Sequence, residues 1–166
     1  MKHTFIAATM MAALGAVSAH AQTPQPADWT TLTLTANMSK PAHVAWEKIG
    51  GNDWCGIAKY LDVKSCDMTS GKGEVGSIRT INGNVIEIAV ARTPYSYTYA
   101  QPFTPIFYHG TLAVEAVNAT HSKIVYTLIW NQTAVGDAKA QADARASRRS
   151  RFQAAVDKMA AAANAP

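Results

Sequence analysis

The segment from Asp137 to Ala163 restricts the fold of this chain more than any other part of the sequence. It contains neither Gly nor Pro and consists mainly of Ala, Gln, Arg, Lys and Asp, residues that form or tolerate a helix. At a rise of about 1.5 Å per residue, a single helix over this segment would be about 40 Å long and would cross a small domain. The rest of the chain must therefore pack against one long helix.

The two halves of this helix differ in the side chains that they offer to a core. The first half has only alanines at helical spacing, namely Ala138, Ala142 and Ala146, whereas the second half places Phe152, Val156, Met159 and Ala163 on one face. A helix with such small side chains cannot fill the space beside it, so its neighbours come very close or a cavity remains. The helix alone leaves open which of these two arrangements applies.

The N-terminus has the pattern of an export signal. Lys2 precedes the apolar stretch 5–17, which is too short to span a bilayer, and Ala19-His20-Ala21 fits an A-x-A cleavage site. We therefore predict a signal peptide at 1–21, a Pro-containing tether at 22–28 and one domain at 29–166. The mature protein is expected to be periplasmic or secreted, without stable insertion into the membrane.

The formal net charge of +4 comes partly from four arginines in the long helix, namely Arg145, Arg148, Arg149 and Arg151. Helical spacing spreads them around much of the circumference, which is typical of a solvated face. An anionic partner or a membrane surface is the alternative interpretation. Aromatic residues are not interleaved with these arginines, so nucleic acid is not an expected partner.

Between the tether and the long helix, the sequence alternates in the manner of strands. The predicted strands are Trp29–Met38, Val63–Met68, Ser77–Ile81, Val85–Arg92, Tyr95–Tyr99, Tyr108–Val117 and Ser122–Trp130. Two short helices, around Trp46 and around Ile57, follow the first strand. Because short turns join the later strands, the sheet should be antiparallel, which gives an α+β fold.

The hairpin at Asn82-Gly83 leaves the relation between Arg79 and Glu87 open. With a two-residue loop, Arg79 lies opposite Ile86 and the two charged side chains face opposite sides of the sheet. If the loop also includes Asn84, Arg79 lies opposite Glu87 and both share a face. Simple hydrophobic alternation would place the isoleucines inward and Glu87 in solvent, where the pair would be an exposed cross-strand ion pair.

Several motifs resemble those of the START/Bet v 1-like superfamily, and in particular the bacterial polyketide cyclase/dehydrase type. The stretches that carry the resemblance are 54–60 (WCGIAKY), Cys66, 73–80 (GEVGSIRT), 85–87 (VIE), 95–99 (YSYTY) and the long C-terminal helix. The resemblance implies a helix-grip fold, in which a curved antiparallel sheet of about seven strands and two short helices surround the long helix. It also implies an elongated apolar cavity between sheet and helix, with Glu87 pointing inward.

Cys55 and Cys66 are the only cysteines in the chain. In an exported protein an even number of cysteines favours a disulfide, here one that ties the second short helix to the next strand. Two buried free thiols are the alternative. The histidines of the mature chain are scattered, without metal-ligand spacing, so neither a metal nor another cofactor is expected.

These features favour the binding of a small hydrophobic, aromatic or polycyclic ligand in the cavity. The residues expected to contact it are Trp54, Tyr60, Tyr95, Tyr97, Tyr99, Phe103, Phe107, His109, Trp130 and Ala142. The alternative is an enzyme of the cyclase, dehydratase or lyase type, with Glu87 as base and Arg79 stabilising an oxyanion. A third hypothesis is a surface role in envelope assembly, without a small ligand. The sequence leaves the oligomeric state open.

Overall fold

The computed structural model describes residues 28–166, so the predicted signal peptide and residues 22–27 of the tether lie outside the described residues. The strands, numbered in chain order, are β1 (Trp29–Met38), β2 (Cys66–Ser70), β3 (Ile78–Ile81), β4 (Val85–Thr93), β5 (Ser96–Gln101), β6 (Tyr108–Ala116) and β7 (Ser122–Asn131). The helices are α1 (Ala42–Lys48), α2 (Ala138–Asn164) and the 3₁₀ helices Gly56–Leu61 and Gln132–Val135. No helix among residues 28–166 has the length and apolar character needed to cross a bilayer.

The seven strands form one antiparallel sheet in the order β1-β7-β6-β5-β4-β3-β2. From β2 to β7 each strand pairs with the next one along the chain, and β1 then adds to the outer edge of β7. The sheet curves around α2, while α1 and the first 3₁₀ helix lie between β1 and β2 in the chain. The predicted α+β helix-grip fold is therefore confirmed.

The C-terminal half of α2 fills the concave face of the sheet, as its apolar stripe predicts. Phe152, Val156 and Met159 are buried there, and the ring of Phe152 meets the ring of Tyr126 edge-on at a centroid distance of 5.2 Å. The helix begins after Asp137, whose carboxylate accepts a hydrogen bond from the backbone N–H of Ala140 at 2.8 Å. Such an N-cap satisfies one of the free amides of the first turn.

Two strand boundaries differ from the prediction in ways that affect the interior. The strand predicted from Val63 begins only at Cys66, and the strand predicted to end at Tyr99 continues to Gln101. In the longer strand Gln101 pairs with Tyr108 of β6. Because side chains alternate along a strand, this extension places Gln101 on the same face as Tyr99.

The disulfide predicted between Cys55 and Cys66 is present. It joins the residue before the first 3₁₀ helix to the first residue of β2, across a sequence separation of 11. The cross-link restricts the unfolded chain, and for a loop of this length it contributes about 3 kcal/mol in the chain-entropy view. It thereby fixes the segment that carries Trp54 against the edge of the sheet.

Replacing both cysteines by alanine should lower the free energy of unfolding by about 2–3 kcal/mol, because the unfolded chain then gains conformational entropy. Urea denaturation followed by circular dichroism measures the change. As a control, both proteins are measured with and without reductant. Reductant should lower the free energy of unfolding of the wild type and leave that of the variant unchanged. An equal stability of wild type and variant would mean that the cross-link adds nothing to the fold.

Candidate functional site

A cavity of about 480 Å³ lies between the concave face of the sheet and the N-terminal half of α2. Its volume is within the range of small-molecule sites in proteins. Its lining consists of Leu61, Val63, Arg79, Ile81, Asn82, Val85, Glu87, Tyr99, Gln101, Ile106, Tyr108, Ala144, Ser147, Arg148, Arg151 and Phe152. The cavity therefore combines an apolar wall with a few polar and charged groups, which are described in turn below.

The hairpin between β3 and β4 brings Arg79 and Glu87 together on the inner face. The loop spans residues 82–84, so that Ile81 pairs with Val85 and Arg79 with Glu87. Of the two registers left open by the sequence, the structure therefore has the one with Asn84 in the loop. Ile86 and Val90 are exposed instead, so the placement expected from simple hydrophobic alternation is wrong.

Arg79 and Glu87 form a buried ion pair in the wall of the cavity. Nε and Nη2 of Arg79 both lie 2.7 Å from Oε2 of Glu87, and the side chains are 1% and 5% exposed. The Arg79 Nη1 donates to the backbone carbonyl of Trp54, and Gln101 Nε2 donates to Oε1 of Glu87 at 2.8 Å. Both oxygens of the carboxylate are therefore hydrogen-bonded.

The positive charge of Arg79 is stabilised by the carboxylate of Glu87 and by the rings of Trp54 and Tyr99. Burial is the largest single effect and lowers the pKa of the guanidinium, but Glu87, Tyr97 and Tyr99 together outweigh it, so the pKa is raised overall. The guanidinium carbon also lies 4.4 Å from the ring centre of Trp54 and 5.4 Å from that of Tyr99. These contacts surround the guanidinium of Arg79 with its carboxylate partner and two aromatic faces.

Tyr99 and Tyr108 form the neighbouring part of the wall, and Tyr97 and Tyr126 are buried in the core beside them. The hydroxyls of Tyr99 and Tyr126 are 2.9 Å apart and share a hydrogen bond, whereas the buried hydroxyl of Tyr108 has no partner among the described residues. Burial raises the pKa of Tyr99, Tyr108 and Tyr126, and it raises the pKa of Tyr97 to about 12. All four phenols are therefore neutral at physiological pH.

The helix contributes Arg148 and Arg151 to the cavity. The guanidinium carbon of Arg148 lies 4.7 Å from the ring centre of Trp130, and its Nη1 donates to the backbone carbonyl of Ala144 at 3.3 Å. Arg151 is exposed and lies over the ring of Phe152 at 5.1 Å. Unlike Arg79, neither of these arginines has a carboxylate within ion-pair distance in the part of the chain that the structure describes.

Of the ten residues predicted to contact a ligand, only Tyr99 lines the cavity. Trp54, Tyr60, Tyr97 and Trp130 are buried in the packed core beside it, with Tyr97 enclosed by Trp46 and Trp54. Aromatic side chains on the inner face were predicted to contact a ligand, but most of them contact one another. The prediction that these four aromatic residues line the cavity is therefore wrong. Trp54 and Trp130 instead contact Arg79 and Arg148, which do line it.

The remaining predicted contacts face away from the cavity. Tyr95 and Phe103 are exposed, and Phe107 packs beside His109 and Trp29 with ring centres 5.1 and 6.3 Å away. His109 follows the buried Tyr108 on the same strand, so strand alternation directs it to the outer face. These residues were grouped with the cavity because they are near it in sequence, which does not determine the face.

Ala142 is exposed and does not line the cavity, so the predicted helix face is wrong in the first half of α2. The inward stripe that continues backward from Phe152 runs through Arg151, Arg148, Ser147 and Ala144. This spacing of three and four residues is that of one helix face. Sequence reasoning missed it because two of its members are arginines, which were assigned to a solvated face.

Gln101 is a further member of the site that sequence reasoning did not include, whereas Tyr108, one of the aromatic residues that the sequence places near the cavity, lines it as expected. The predicted strand ends at Tyr99, two residues before Gln101, although a following proline such as Pro102 is compatible with the end of a strand. Extending the predicted strand by two residues would have placed Gln101 on the same face as Tyr99 by strand alternation. In the structure Gln101 pairs with Tyr108, and both line the cavity. Regular strand geometry was thus a better guide to the wall than residue type.

Several solved structures have a fold similar to that of this chain. A protein from Nitrosospira multiformis aligns with a TM-score of 0.59 and 16% identity, covering 78% of this chain and 96% of that one. A protein from Thermobifida fusca gives a TM-score of 0.62 and 15% identity, with coverage of 80% and 94%. Ara h 8.0201 gives a TM-score of 0.54 and 16% identity, with coverage of 81% and 99%.

These structures show that the chain has the Bet v 1-like helix-grip fold, as the resemblance in sequence motifs implied. No protein-family model matches the sequence, and no curated protein sequence matches it either. At identities this low, the likeness concerns the fold, and the function has to be argued from the cavity itself.

Replacing Glu87 by Gln should lower the free energy of unfolding by about 3 kcal/mol or more, because the buried guanidinium of Arg79 then loses its counter-charge. Urea denaturation of the wild type, Glu87→Gln, Arg79→Gln and the double variant measures this change. The double variant should be more stable than the sum of the single losses predicts, since neither charge is left alone. Additive losses would contradict a direct interaction between the two groups.

Proposed function

We propose that this protein binds a small hydrophobic ligand, aromatic or polycyclic in shape, inside the cavity beneath α2. The observation that carries the proposal is the cavity itself, with its volume of about 480 Å³ in an otherwise packed core. Apolar side chains supply much of its wall, namely Leu61, Val63, Ile81, Val85, Ile106 and Phe152. Concave sites of this size with a few polar groups are typical of ligand binding.

The small residues of α2 support the same proposal. Ala144 and Ser147 face the cavity, so the helix leaves space where Phe152 and Val156 fill it one or two turns later. Three uncharged aromatic rings also line this space: those of Tyr99 and Tyr108 on the sheet and that of Phe152 on α2. An aromatic ligand would find edge and face contacts with these rings.

An enzyme of the cyclase, dehydratase or lyase type is the second candidate, because Glu87 and Arg79 both line the cavity. In that function Glu87 would take a proton and Arg79 would stabilise the developing oxyanion. However, both carboxylate oxygens of Glu87 already accept hydrogen bonds, one from Arg79 and the other from Gln101, so the groups that a substrate proton would approach are occupied. Binding without turnover is therefore the better-supported function.

Filling the cavity should abolish binding without unfolding the protein. Ala144→Phe places a ring in the space, whereas Ala142→Phe places the same ring on the exposed face of the same helix. With N-phenyl-1-naphthylamine as an uncharged fluorescent probe, Ala144→Phe should raise Kd about tenfold or more by occupying the site, and Ala142→Phe should leave it within about twofold. Fluorescence titration measures both, and circular dichroism checks the fold.

Equal binding by Ala144→Phe and the wild type would show that the probe does not enter this cavity, and would overturn the proposed function. Turnover offers a separate check on the second candidate. An aromatic substrate that the wild type converts and Glu87→Gln does not, at a temperature where the variant is folded, would favour the enzyme over the binding protein.

We also propose that the protein acts in the periplasm, after removal of residues 1–21. The disulfide between Cys55 and Cys66 supports this location, because such bonds persist in oxidising compartments. Expression of the full chain in a bacterium should therefore yield, in the periplasmic fraction, a protein whose intact mass corresponds to a chain that begins at Gln22. A full-length mass in the cytoplasmic fraction would contradict export.

A further inference from the structure

The charges in the cavity wall do not balance. Its charged residues are Arg79, Glu87, Arg148 and Arg151, and Glu87 is already paired with Arg79. The pair is neutral as a unit, so the excess of two positive charges belongs to the two arginines of α2. Neither has a carboxylate within 4.0 Å among residues 28–166.

Arg148 is the better-placed of the two for binding a ligand. It is half-buried, and its contacts are the ring of Trp130 and the carbonyl of Ala144 in its own helix. Burial lowers the pKa of its guanidinium, and the nearby charge of Arg151 lowers it further. A cation that is partly removed from water without a counter-ion is a destabilising element unless an anion binds beside it.

The contact with the ring of Trp130 also restricts the positions open to this guanidinium. A planar group held by an aromatic ring loses little conformational freedom when it binds, and its N–H groups can hold two oxygens of one anion. Arg151 lies about one turn further along the same face and is more exposed, so it can close over a bound anion from the solvent side. The buried hydroxyl of Tyr108, which lacks a partner among the described residues, adds another donor in the same wall.

We propose that the ligand is an anionic amphiphile, with its hydrophobic body in the cavity and an oxyanion head, carboxylate or sulfonate, bound between Arg148 and Arg151. This inference rests on the proposed binding function and specifies the chemical class of its ligand. The head lies beside α2, and the body extends away from it toward the apolar side chains of Leu61, Ile81 and Ile106. The Arg79–Glu87 pair takes no part in binding the head, because its charges are mutually compensated.

Two fluorescent probes with the same aromatic frame test the proposal. 1-Anilinonaphthalene-8-sulfonate carries a sulfonate, and N-phenyl-1-naphthylamine lacks it. The wild type should bind the sulfonate probe about tenfold more tightly, as expected for charge-assisted hydrogen bonds to guanidinium groups. Added NaCl should weaken binding of the sulfonate probe and leave that of the uncharged probe unchanged. Ala144→Phe should abolish tight binding of both, which ties the signal to the cavity rather than to exposed apolar side chains.

Substitutions on α2 assign the effect to single residues. Arg148→Gln should raise Kd for the sulfonate probe about tenfold and leave Kd for the uncharged probe within about twofold, since only the charged head is affected. Arg149→Gln is the matched control, because it removes the same charge from the neighbouring, exposed position and does not line the cavity. Its Kd for both probes should remain that of the wild type.

The two levels of the proposal fail in different ways. If the wild type binds both probes with equal affinity, or if Arg148→Gln and Arg149→Gln weaken the sulfonate probe equally, the anionic ligand is overturned while the binding function stands. If neither probe binds, the binding function falls and the ligand class falls with it. Unchanged binding of the uncharged probe by Arg148→Gln shows that this variant has kept its cavity.

Discussion

The buried ion pair between Arg79 and Glu87 is the interaction on which the interior of this protein depends. It joins β3 to β4, reaches β5 through Gln101 and holds the backbone before the disulfide through the carbonyl of Trp54. A pair of this kind gives little net stability compared with apolar residues, but removing one partner is costly. It therefore fixes which side of β4 faces inward, and it places polar atoms where an apolar core would otherwise close.

Elements that depend on local sequence patterns were predictable. The strand alternation in 29–38 and 122–130, the hairpin at Asn82-Gly83 and the uninterrupted helix after Asp137 all appear in the structure with small shifts at their ends. The disulfide was predictable because two cysteines have only one way to pair, and the export signal predicted at the N-terminus implies an oxidising compartment. Each of these features is determined by neighbours in sequence or by a count, without knowledge of the tertiary packing.

The lining of the cavity was not predictable in the same way, because it depends on how elements rotate against one another. Residue type was misleading in both directions: Tyr97 is an aromatic residue that only packs, and Arg148 is a charged residue that faces inward. The inward position of Glu87 opposed the simple alternation of Ile86, Ile88 and Val90; it agreed with the resemblance in sequence motifs, and hydrogen bonds from Arg79 and Gln101 stabilise it. The particular ligand depends on chemistry that the fold alone does not contain.

The long helix is unevenly anchored, and this has a consequence for access to the interior. Its second half is buried through Phe152, Val156, Met159 and Ala163, whereas its first turns contain none of the buried residues of the helix, border the cavity from Ala144 onward and donate hydrogen bonds from Arg145 to Thr30 and Thr31 of β1. Local opening of these first turns breaks few apolar contacts, so it requires far less free energy than global unfolding. The free energy of local opening beside the cavity and the free energy of global unfolding are therefore expected to depend on different halves of one helix.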